Sequence, residues 1–206
     1  MPLLEQHNAP LWGIWKIDET WDALLQLFEN PQEYIPYLDR FKYDGRKGEW
    51  LAVRALLKQL LNEEVAIAYY ETGIPYLPDC SFNISISHTK GYAAVIVDEN
   101  KPVGIDIEYC SERIHRIKSR FMNDAELTLF NHLNTEQLLV CWSAKETAFK
   151  AMQQKVVDLQ TDLHIISFEE NGSQGILYIK ETFTPQQANY QVVYRITPEF
   201  VLTRSL

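Results

Sequence analysis

The hydrophobic and polar positions of this chain switch repeatedly between a helical period and a strand period. Apolar residues recur at helical spacing over residues 20–28, where Asn30 and Pro31 stop the run, and more strongly over residues 46–61. A further helical stretch is predicted from residue 113 to residue 152. Short β-type runs, separated by turn residues, fill most of the remainder: 9–18, 66–71, 82–87, 92–98, 103–108, 163–168, 176–180 and 190–196. The pattern predicts an α+β fold.

The order of the elements, a helix then strands and again a helix then strands, indicates two similar halves that meet near residue 100. We predict an N-terminal half, residues 1–100, and a C-terminal half, residues 101–206, each a helix packed on a small antiparallel sheet. Residues 50–58 and 142–150 share a tryptophan, an alanine and a final lysine. Two amphipathic helices can share this much by chance, so the match is weak support.

Composition narrows the class of protein. With 206 residues and 46% hydrophobic content the chain can bury a sizeable core. The formal charge of -9 argues against a surface built to bind nucleic acid, so an anionic substrate must meet a local basic patch. Cys80, Cys110 and Cys141 are scattered, which indicates neither a disulfide framework nor a zinc site and suits a reducing cytoplasm. With no signal-like start or membrane-spanning run, we expect a soluble, cytoplasmic protein with no membrane partner.

One strand carries a pair of acidic side chains. Over residues 103–108 the strand period sends Val103, Ile105 and Ile107 to one face and leaves Asp106 and Glu108 on the other. Two carboxylates this close repel each other unless a cation lies between them, and hard oxygen ligands suit Mg²⁺. The alternative is an edge strand with a solvated acidic face.

The helix predicted near residues 138–152 supplies further charged groups. Glu146 and Lys150 are four residues apart and share a face. Glu146 could complete a metal site or act as a base while Lys150 neutralises phosphate oxygens; alternatively, the two form an ordinary ion pair on a helix surface. Trp142 and Phe149 are interpreted as core residues rather than substrate contacts.

A third group of polar residues lies where a strand runs into the turn at Lys90 and Gly91. Ser87, His88 and Thr89 can present hydrogen-bond donors to a phosphate there. Since no cysteine or second histidine lies at ligand spacing, a histidine-based metal site is not indicated. Ser87 and His88 face opposite sides of the strand and do not make a catalytic triad.

Taken together, four segments resemble the successive signature motifs of the 4'-phosphopantetheinyl transferase superfamily. They are Ser87-His88-Thr89, residues 103–108, Arg120-Phe121-Met122 followed by Glu126, and residues 142–150. Each motif is weak alone, but V-G-I-D-I-E followed by W-S-A-K-E-T-A-F-K is a specific combination. The chain length resembles the single-chain Sfp type, which implies two α+β halves fused as a pseudo-two-fold dimer, with the C-terminal half carrying the metal and catalytic motifs.

The resemblance implies an activity and a metal site. The enzyme would move the 4'-phosphopantetheine group of coenzyme A onto a serine of an apo carrier protein and release 3',5'-ADP. Asp106, Glu108 and Glu146 would hold Mg²⁺ against the pyrophosphate of coenzyme A. Glu146, or a water that it orients, would take the proton from the serine, with Lys150 and Asp106 as further catalytic residues.

The same resemblance implies a coenzyme A site. Lys150 and His88 would contact phosphates, with Ser87 and Thr89 nearby, and Arg46 would reach the 3'-phosphate from the N-terminal half.

Two departures from the family pattern bear on this expectation. The family's usual Gly-Lys-Pro is Gly73-Ile74-Pro75 here, and no glycine follows closely after Lys150. The missing lysine at Ile74 leaves room for a non-catalytic relative that binds coenzyme A or a carrier protein. An unrelated magnesium-dependent nucleotide hydrolase is a third reading, but the chain has no GxxxxGK pattern to cradle its phosphates.

The one dense basic stretch, residues 111–121, suggests how a carrier protein docks. As an amphipathic helix it would turn Ile114 and Ile117 toward the core. Arg113 and Arg116 would then face an acidic carrier, whereas Arg120, within a family motif, is expected to be structural. The alternative is a solvated helix face. We expect the protein to act as a monomer.

Overall fold

The computed structural model describes residues 3–206 of the chain. In chain order its helices and strands are β1 (Leu3–Asn8), β2 (Leu11–Lys16), α1 (Trp21–Leu25), α2 (Ile35–Leu38), α3 (Asp44–Leu61), β3 (Ala68–Tyr69), β4 (Pro75–Tyr76), β5 (Asn83–Thr89), β6 (Tyr92–Asp98), β7 (Ile105–Tyr109), α4 (Asp124–Leu129), α5 (Thr135–Met152), β8 (Leu163–Asn171), β9 (Gln174–Glu181), β10 (Asn189–Ile196) and β11 (Phe200–Ser205). Short 3₁₀ helices cover Pro31–Tyr34, Glu112–Arg116 and Lys118–Arg120.

The first sheet has the strand order β1-β2-β6-β5, and all of its pairings are antiparallel. Helix α3 packs on one face of it, burying the stripe that the helical period predicted, with Val53, Leu57 and Leu60 at or below 7% exposure. Helix α1 begins where expected, because the Thr20 hydroxyl accepts a hydrogen bond from the backbone N–H of Ala23.

The second sheet has the order β7-β11-β10-β9-β8, again antiparallel. Helix α5 packs on this sheet, and Asn134 caps its N-terminus by accepting from the backbone N–H of Gln137. Both α3 and α5 are 18 residues long, and each ends at a residue in the left-handed conformation, Asn62 and Gln153 respectively.

The two sheets meet face to face and edge to edge. Trp12 and Ile14 of the first sheet share a buried cluster with Ile105 and Ile107 of the second. Strands β5 and β7 belong to different sheets, and side chains of β5 bond the backbone of β7. Ser85 Oγ accepts from the Ile105 N–H at 3.1 Å, and Thr89 Oγ1 accepts from the Tyr109 N–H at 3.1 Å.

The predicted α+β class is confirmed, and the helical stretch predicted from residue 113 to residue 152 is confirmed in part, since α5 covers the helix expected near residues 138–152. The stretch is divided into two 3₁₀ turns, α4 and α5. The reason is local capping: Asn123 and Glu126 form a capping box that starts α4, and Asn134 starts α5 afresh. The predicted amphipathic helix over residues 111–121 is therefore wrong.

Other sequence predictions hold in part. The run at residues 92–98 coincides with β6, whereas the run at residues 66–71 contributes only β3, paired with β4. Strands β1, β4 and β11 and helix α2 were not predicted. The boundary expected near residue 100 falls between β6 and β7, and the division into two halves stays a prediction. None of the helices within residues 3–206 has the length and apolar character needed to cross a membrane.

Candidate active site

A cavity of about 550 Å³ opens where α3, β5, β7 and α5 converge. Seven of the residues predicted from the sequence line it: Arg46, Ser87, His88, Asp106, Glu108, Glu146 and Lys150. Thr89 does not line this cavity. Its hydroxyl accepts a hydrogen bond from the backbone N–H of Tyr109 in β7. The site residues thus come from both sheets and both long helices.

A glycine allows the close approach of α5 to β7. A Cβ built on Gly104 would lie 1.9 Å from the backbone oxygen of Thr147, which no side chain tolerates. Gly104 therefore lets the helix pass directly over the start of the strand, and this brings Glu146 and Lys150 beside Asp106.

Asp106 lies at the centre of the wall and is 4% exposed. Ser87 Oγ donates to its Oδ1 at 2.8 Å, and Ser143 Oγ donates to its Oδ2 at 2.8 Å. Lys150 Nζ also donates to Oδ1 at 2.8 Å, and to the backbone oxygen of Ile105 at 3.0 Å. Side chains of β5 and α5 therefore hold the carboxylate from two elements at once.

The ion pair between Glu146 and Lys150, which the helical spacing offered as the alternative to a metal site, is not formed. Within residues 3–206 the only carboxylate that lies within ion-pair distance of Lys150 is that of Asp106. Burial raises the pKa of Glu146 to about 7, the charges of Asp106 and Glu108 add to the rise, and Lys150 opposes it. A carboxyl group with a near-neutral pKa is suited to act as a general base.

Glu108 is the third carboxylate, and it is held by a tryptophan. Trp142 Nε1 donates to Glu108 Oε1 at 2.7 Å. Burial raises the pKa of Glu108 to about 6, with Asp106 adding to the rise. Trp142 lines the cavity and fixes a site carboxylate, so its interpretation as a core residue alone is incomplete.

The donor set suits a divalent cation, but it is not assembled as a metal cluster. Asp106 and Glu108 both raise the pKa of Glu146, because three carboxylates that share one cavity wall repel one another when they are charged. Over residues 3–206, however, no three His, Cys, Asp or Glu side chains gather closely enough to hold a metal ion by themselves. Oxygen atoms of a bound ligand would have to complete any coordination shell.

The α3 side of the cavity carries a second charged group. Arg46 Nη1 lies 2.7 Å from Glu49 Oε2, and His88 Nδ1 lies 3.4 Å from the same oxygen. Burial lowers the pKa of His88, and the charge of Glu49 opposes that effect. Glu49 thus joins the two residues that were expected to contact phosphate.

Two other motif residues serve the core rather than the cavity. Lys145 and Glu126 are both fully buried, and Lys145 Nζ lies 2.8 Å from Glu126 Oε2. The same ammonium donates to the backbone oxygens of Phe121 and Leu159 at 2.6 and 2.8 Å, and Glu126 Oε1 accepts from the Ile165 N–H. This pair fixes α4 and α5 to β8.

Sequence reasoning missed part of the wall. Phe41, Trp50, Arg54 and Tyr69 line the cavity, and none of them was assigned a role there. The Thr72–Pro75 segment also lines it, and its Ile74 is the position that the family resemblance had linked to coenzyme A. An arginine on a helix normally indicates a solvated face, and only the buried neighbours Val53 and Ala55 could have signalled otherwise.

The basic stretch lies outside this wall. Arg113 and Arg116 are exposed on the 3₁₀ helix Glu112–Arg116. Arg120 is exposed as well, and its side chain makes no hydrogen bond or ion pair within the described part of the chain. Its expected structural role therefore has no contact to support it.

Comparison with known proteins decides the family. The model of the 4'-phosphopantetheinyl transferase superfamily matches residues 102–203, the segment that holds Asp106, Glu108, Glu146 and Lys150. The chain belongs to the 4'-phosphopantetheinyl transferase superfamily. Within this superfamily it is 27% identical over 158 residues to a 4'-phosphopantetheinyl transferase of Aneurinibacillus migulanus. The match covers 73% of this chain and 64% of that protein, so the chain spans less than two thirds of the relative's length.

Proposed function

We propose that the protein transfers the 4'-phosphopantetheine group of coenzyme A to a serine of an apo acyl, peptidyl or aryl carrier protein and releases 3',5'-ADP. The observation that carries this proposal is the convergence, in one cavity, of three carboxylates and Lys150 with Arg46 and His88. Family membership supports the same reaction.

Different basic residues would bind different phosphates of coenzyme A. Lys150 and His88 face the cavity from α5 and β5 and would bind the pyrophosphate. Arg46 lies beside His88 at the start of α3, where it would reach the 3'-phosphate. Ser87 is already engaged with Asp106 and orients that carboxylate, while Thr89 acts only through the strand contact.

Asp106, Glu108 and Glu146 would hold Mg²⁺ together with oxygen atoms of the pyrophosphate. When bound, the ion supplies neutralisation of the charge that develops on the phosphates. Lys150 would approach the same phosphates from the side of Asp106, because its ammonium lies 2.8 Å from Asp106 Oδ1.

The transfer itself needs alignment and one proton acceptor. The serine oxygen forms a bond to the β-phosphorus, the bond from that phosphorus to the bridging oxygen breaks, and 3',5'-ADP leaves with that oxygen. Glu146, or a water that it orients, accepts the serine proton, which its raised pKa favours. No covalent intermediate with the enzyme is required.

We further propose the Sfp-type arrangement, in which the two halves form a pseudo-two-fold dimer within one monomeric chain. The two sheet-and-helix units with helices of equal length support it. Arg113 and Arg116 are the proposed docking residues for the carrier, which their exposure permits. A cytoplasmic location remains an expectation from the sequence.

The competing proposal is a relative that binds coenzyme A without transferring it. Ile74 on the cavity wall favours it, because an apolar side chain stands there instead of a lysine. One experiment separates the two. The protein is incubated with coenzyme A, Mg²⁺ and a panel of apo carrier proteins, and each carrier is weighed by mass spectrometry.

The transferase proposal requires at least one carrier to gain the phosphopantetheine mass, and Glu146→Gln to suppress that gain. Binding of coenzyme A without a mass gain on any carrier would favour the non-catalytic relative.

A further inference from the structure

Three buried hydroxyl groups lie between α5 and β11, beside the Asp106 carboxylate. They belong to Ser143 and Thr147, one turn apart on α5, and to Thr203 on β11, and all three residues are fully buried. Thr203 is directly opposite Asp106 in the ladder between β11 and β7, so the two side chains project from the same face of the sheet. Thr203 lies outside the four motif segments of the sequence.

Short hydrogen bonds join these groups into a chain that ends at Asp106. Ser143 Oγ donates to Asp106 Oδ2 at 2.8 Å. Thr203 Oγ1 lies 2.8 Å from both the hydroxyl and the backbone oxygen of Ser143, and Thr147 Oγ1 lies 2.7 Å from Thr203 Oγ1. An ionised carboxylate can only accept, so the Ser143 proton is committed to Asp106. Each remaining contact then needs the proton of the next hydroxyl, which gives the chain one direction.

The orientation of the Asp106 carboxylate depends on its hydrogen-bond donors, because the terminal torsion of an aspartate has only broad minima. Ser87 and Lys150 both donate to Oδ1. Within residues 3–206, Ser143 is the only group that donates to Oδ2. The position of that second oxygen is therefore set by a single hydroxyl.

A serine inside a helix has a competing acceptor for its proton. The hydroxyl can turn back to the carbonyl oxygen four residues earlier, which for Ser143 is that of Leu139. Thr203 opposes this change, because its own hydroxyl binds Ser143 Oγ in the position from which Ser143 reaches Asp106. Thr203 is itself restrained, since a β-branched side chain has few allowed χ1 rotamers.

Packing alone does not require a threonine at this position. Ala144 and Ala148 of α5 already share a buried cluster with Val201 of β11. A valine at position 203 would extend that packing without the cost of burying a hydroxyl. The buried threonine therefore indicates a role for its hydroxyl beyond joining α5 to β11.

We propose that Thr203 is a positioning residue for the transfer reaction, which holds the Ser143 hydroxyl on Oδ2 of Asp106 and so keeps that carboxylate in one orientation for the cation. The inference rests on the proposed function, in which Asp106 is a ligand of Mg²⁺. Thr203 does not line the cavity and acts only through Ser143. Hydrogen-bond partners that orient metal ligands have this role in general, and their loss lowers the affinity for the metal.

The test measures the affinity of the protein for Mn²⁺ by electron paramagnetic resonance in the presence of coenzyme A, because Mn²⁺ accepts the same oxygen ligands as Mg²⁺. Thr203→Val keeps the shape of the side chain and removes the hydroxyl. It should weaken Mn²⁺ binding about tenfold, the lower end of the effect of losing such a partner. Thr203→Ser keeps the hydroxyl and should stay within about twofold of the wild type.

Thr197→Val is the matched control. It removes a threonine hydroxyl from the turn between β10 and β11, where that hydroxyl accepts from the backbone N–H of Phe200 and does not line the cavity. Its affinity for Mn²⁺ should equal that of the wild type, although it also loses a buried hydrogen bond of the same hairpin.

A double-mutant cycle separates positioning from packing. Ser143→Ala removes the donor through which Thr203 acts, and it should weaken Mn²⁺ binding at least as much as Thr203→Val does. In the Ser143→Ala background, Thr203→Val should then add no further loss. Equal losses from Thr203→Val in both backgrounds would assign it a structural effect and overturn the proposal, as would wild-type affinity of the single variant.

If Thr203→Val fails to fold, Thr203→Ala takes its place and is compared with Thr203→Ser by the same criterion. A wild type that binds Mn²⁺ and modifies a carrier, with Thr203→Val equal to it in affinity, would overturn the role of Thr203 and leave the transfer reaction established. A wild type that binds no Mn²⁺ would overturn the metal assignment and the positioning role together.

Discussion

Lys150 Nζ lies 2.8 Å from Oδ1 of Asp106, although the helix places Glu146 one turn away from the same lysine. The ammonium therefore contacts Asp106 from the side of α5, while the Ser87 hydroxyl contacts it from β5. Asp106 therefore differs from the other two carboxylates. It accepts hydrogen bonds from Ser87, Ser143 and Lys150. Burial instead raises the pKa values of Glu108 and Glu146, which favours their protonated forms.

This difference predicts unequal effects of removing the three carboxylates. Glu108→Gln and Glu146→Gln should each nearly abolish transfer with little loss of stability, because each removes a charge that burial disfavours. Asp106→Ala should abolish transfer and also destabilise the fold by about 1–3 kcal/mol, since it leaves Lys150 and two hydroxyls without their acceptor. Transfer rates and urea unfolding of the same samples check both parts.

Wild-type turnover by any of these variants at saturating Mg²⁺ would place that residue outside the site. If Asp106→Ala leaves the free energy of unfolding unchanged, the hydrogen bonds of Asp106 make no net contribution to stability.

The raised pKa of Glu146 predicts a pH-dependent stability in the metal-free protein. The pKa of Glu146 is about 7 in the folded chain and near 4.5 in the unfolded chain. The free energy of unfolding therefore falls as pH rises from about 4.5 through 7, and the full loss of stability is reached above pH 7. Glu146→Gln removes it and should stabilise the protein by about 1–3 kcal/mol at pH 8 but not at pH 4. Thermal unfolding with a chelator present measures this difference.

Glu136→Gln on the exposed first turn of α5 is the control, and it should show no such gain at pH 8. Saturating Mg²⁺ should shrink the gain of Glu146→Gln. A gain of equal size at both pH values would contradict the assigned cause.

Substitution of the loop residue Ile74 by a lysine is expected to increase the affinity for coenzyme A. Ile74→Lys should tighten coenzyme A binding about fivefold, by adding a charge-assisted contact of about 1 kcal/mol on the cavity wall. Titration calorimetry measures it, with Ile74→Gln as the uncharged control. Unchanged or weaker binding would mean that this position does not face the phosphates.

The buried pair of Lys145 and Glu126 predicts a large effect on stability. Lys145→Met should cost about 3–5 kcal/mol, because it leaves the Glu126 carboxylate fully buried without its cation. Urea unfolding measures the loss. The double variant Lys145→Met with Glu126→Gln should recover part of it, and failure to do so would mean that packing rather than charge causes the effect.

The exposed basic residues predict how the carrier is recognised. Arg113→Glu with Arg116→Glu should raise the KM for the carrier several-fold at low ionic strength and leave coenzyme A binding unchanged. Added salt should reduce the difference from the wild type. Lys16→Glu with Lys180→Glu makes the same change in net charge away from the cavity and should have little effect. Equal kinetics of the two double variants would contradict specific docking.

The period of the chain placed α1, α3 and α5 and most of the longer strands, because burial of one face determines both, but it did not predict α2, β1, β4 or β11. It also put Asp106 and Glu108 on the face opposite Ile105 and Ile107, as found. It failed over residues 113–121, since nine residues of amphipathic pattern do not distinguish an α-helix from two 3₁₀ turns.

The sequence pattern did not show which of the site residues contact each other in space. The order of the motifs named Glu146 and Lys150, but only the close passage of α5 over Gly104 shows that Lys150 reaches Asp106 rather than Glu146. Arg54 gave no signal of its own, because a helical arginine between apolar neighbours resembles any partly solvated one.

The contact between β5 and β7 is made by serine and threonine side chains instead of a backbone ladder. A backbone ladder tolerates most substitutions, because every residue supplies the same amide, whereas here Ser85, Ser87 and Thr89 each form their bond through a side-chain hydroxyl that alanine lacks. Alanine at these three positions should let one wall of the cavity drift against the other while each sheet stays folded. The proposed transfer would then be lost with an unchanged circular dichroism spectrum, and this seam is where loss of that activity in mild denaturant should begin.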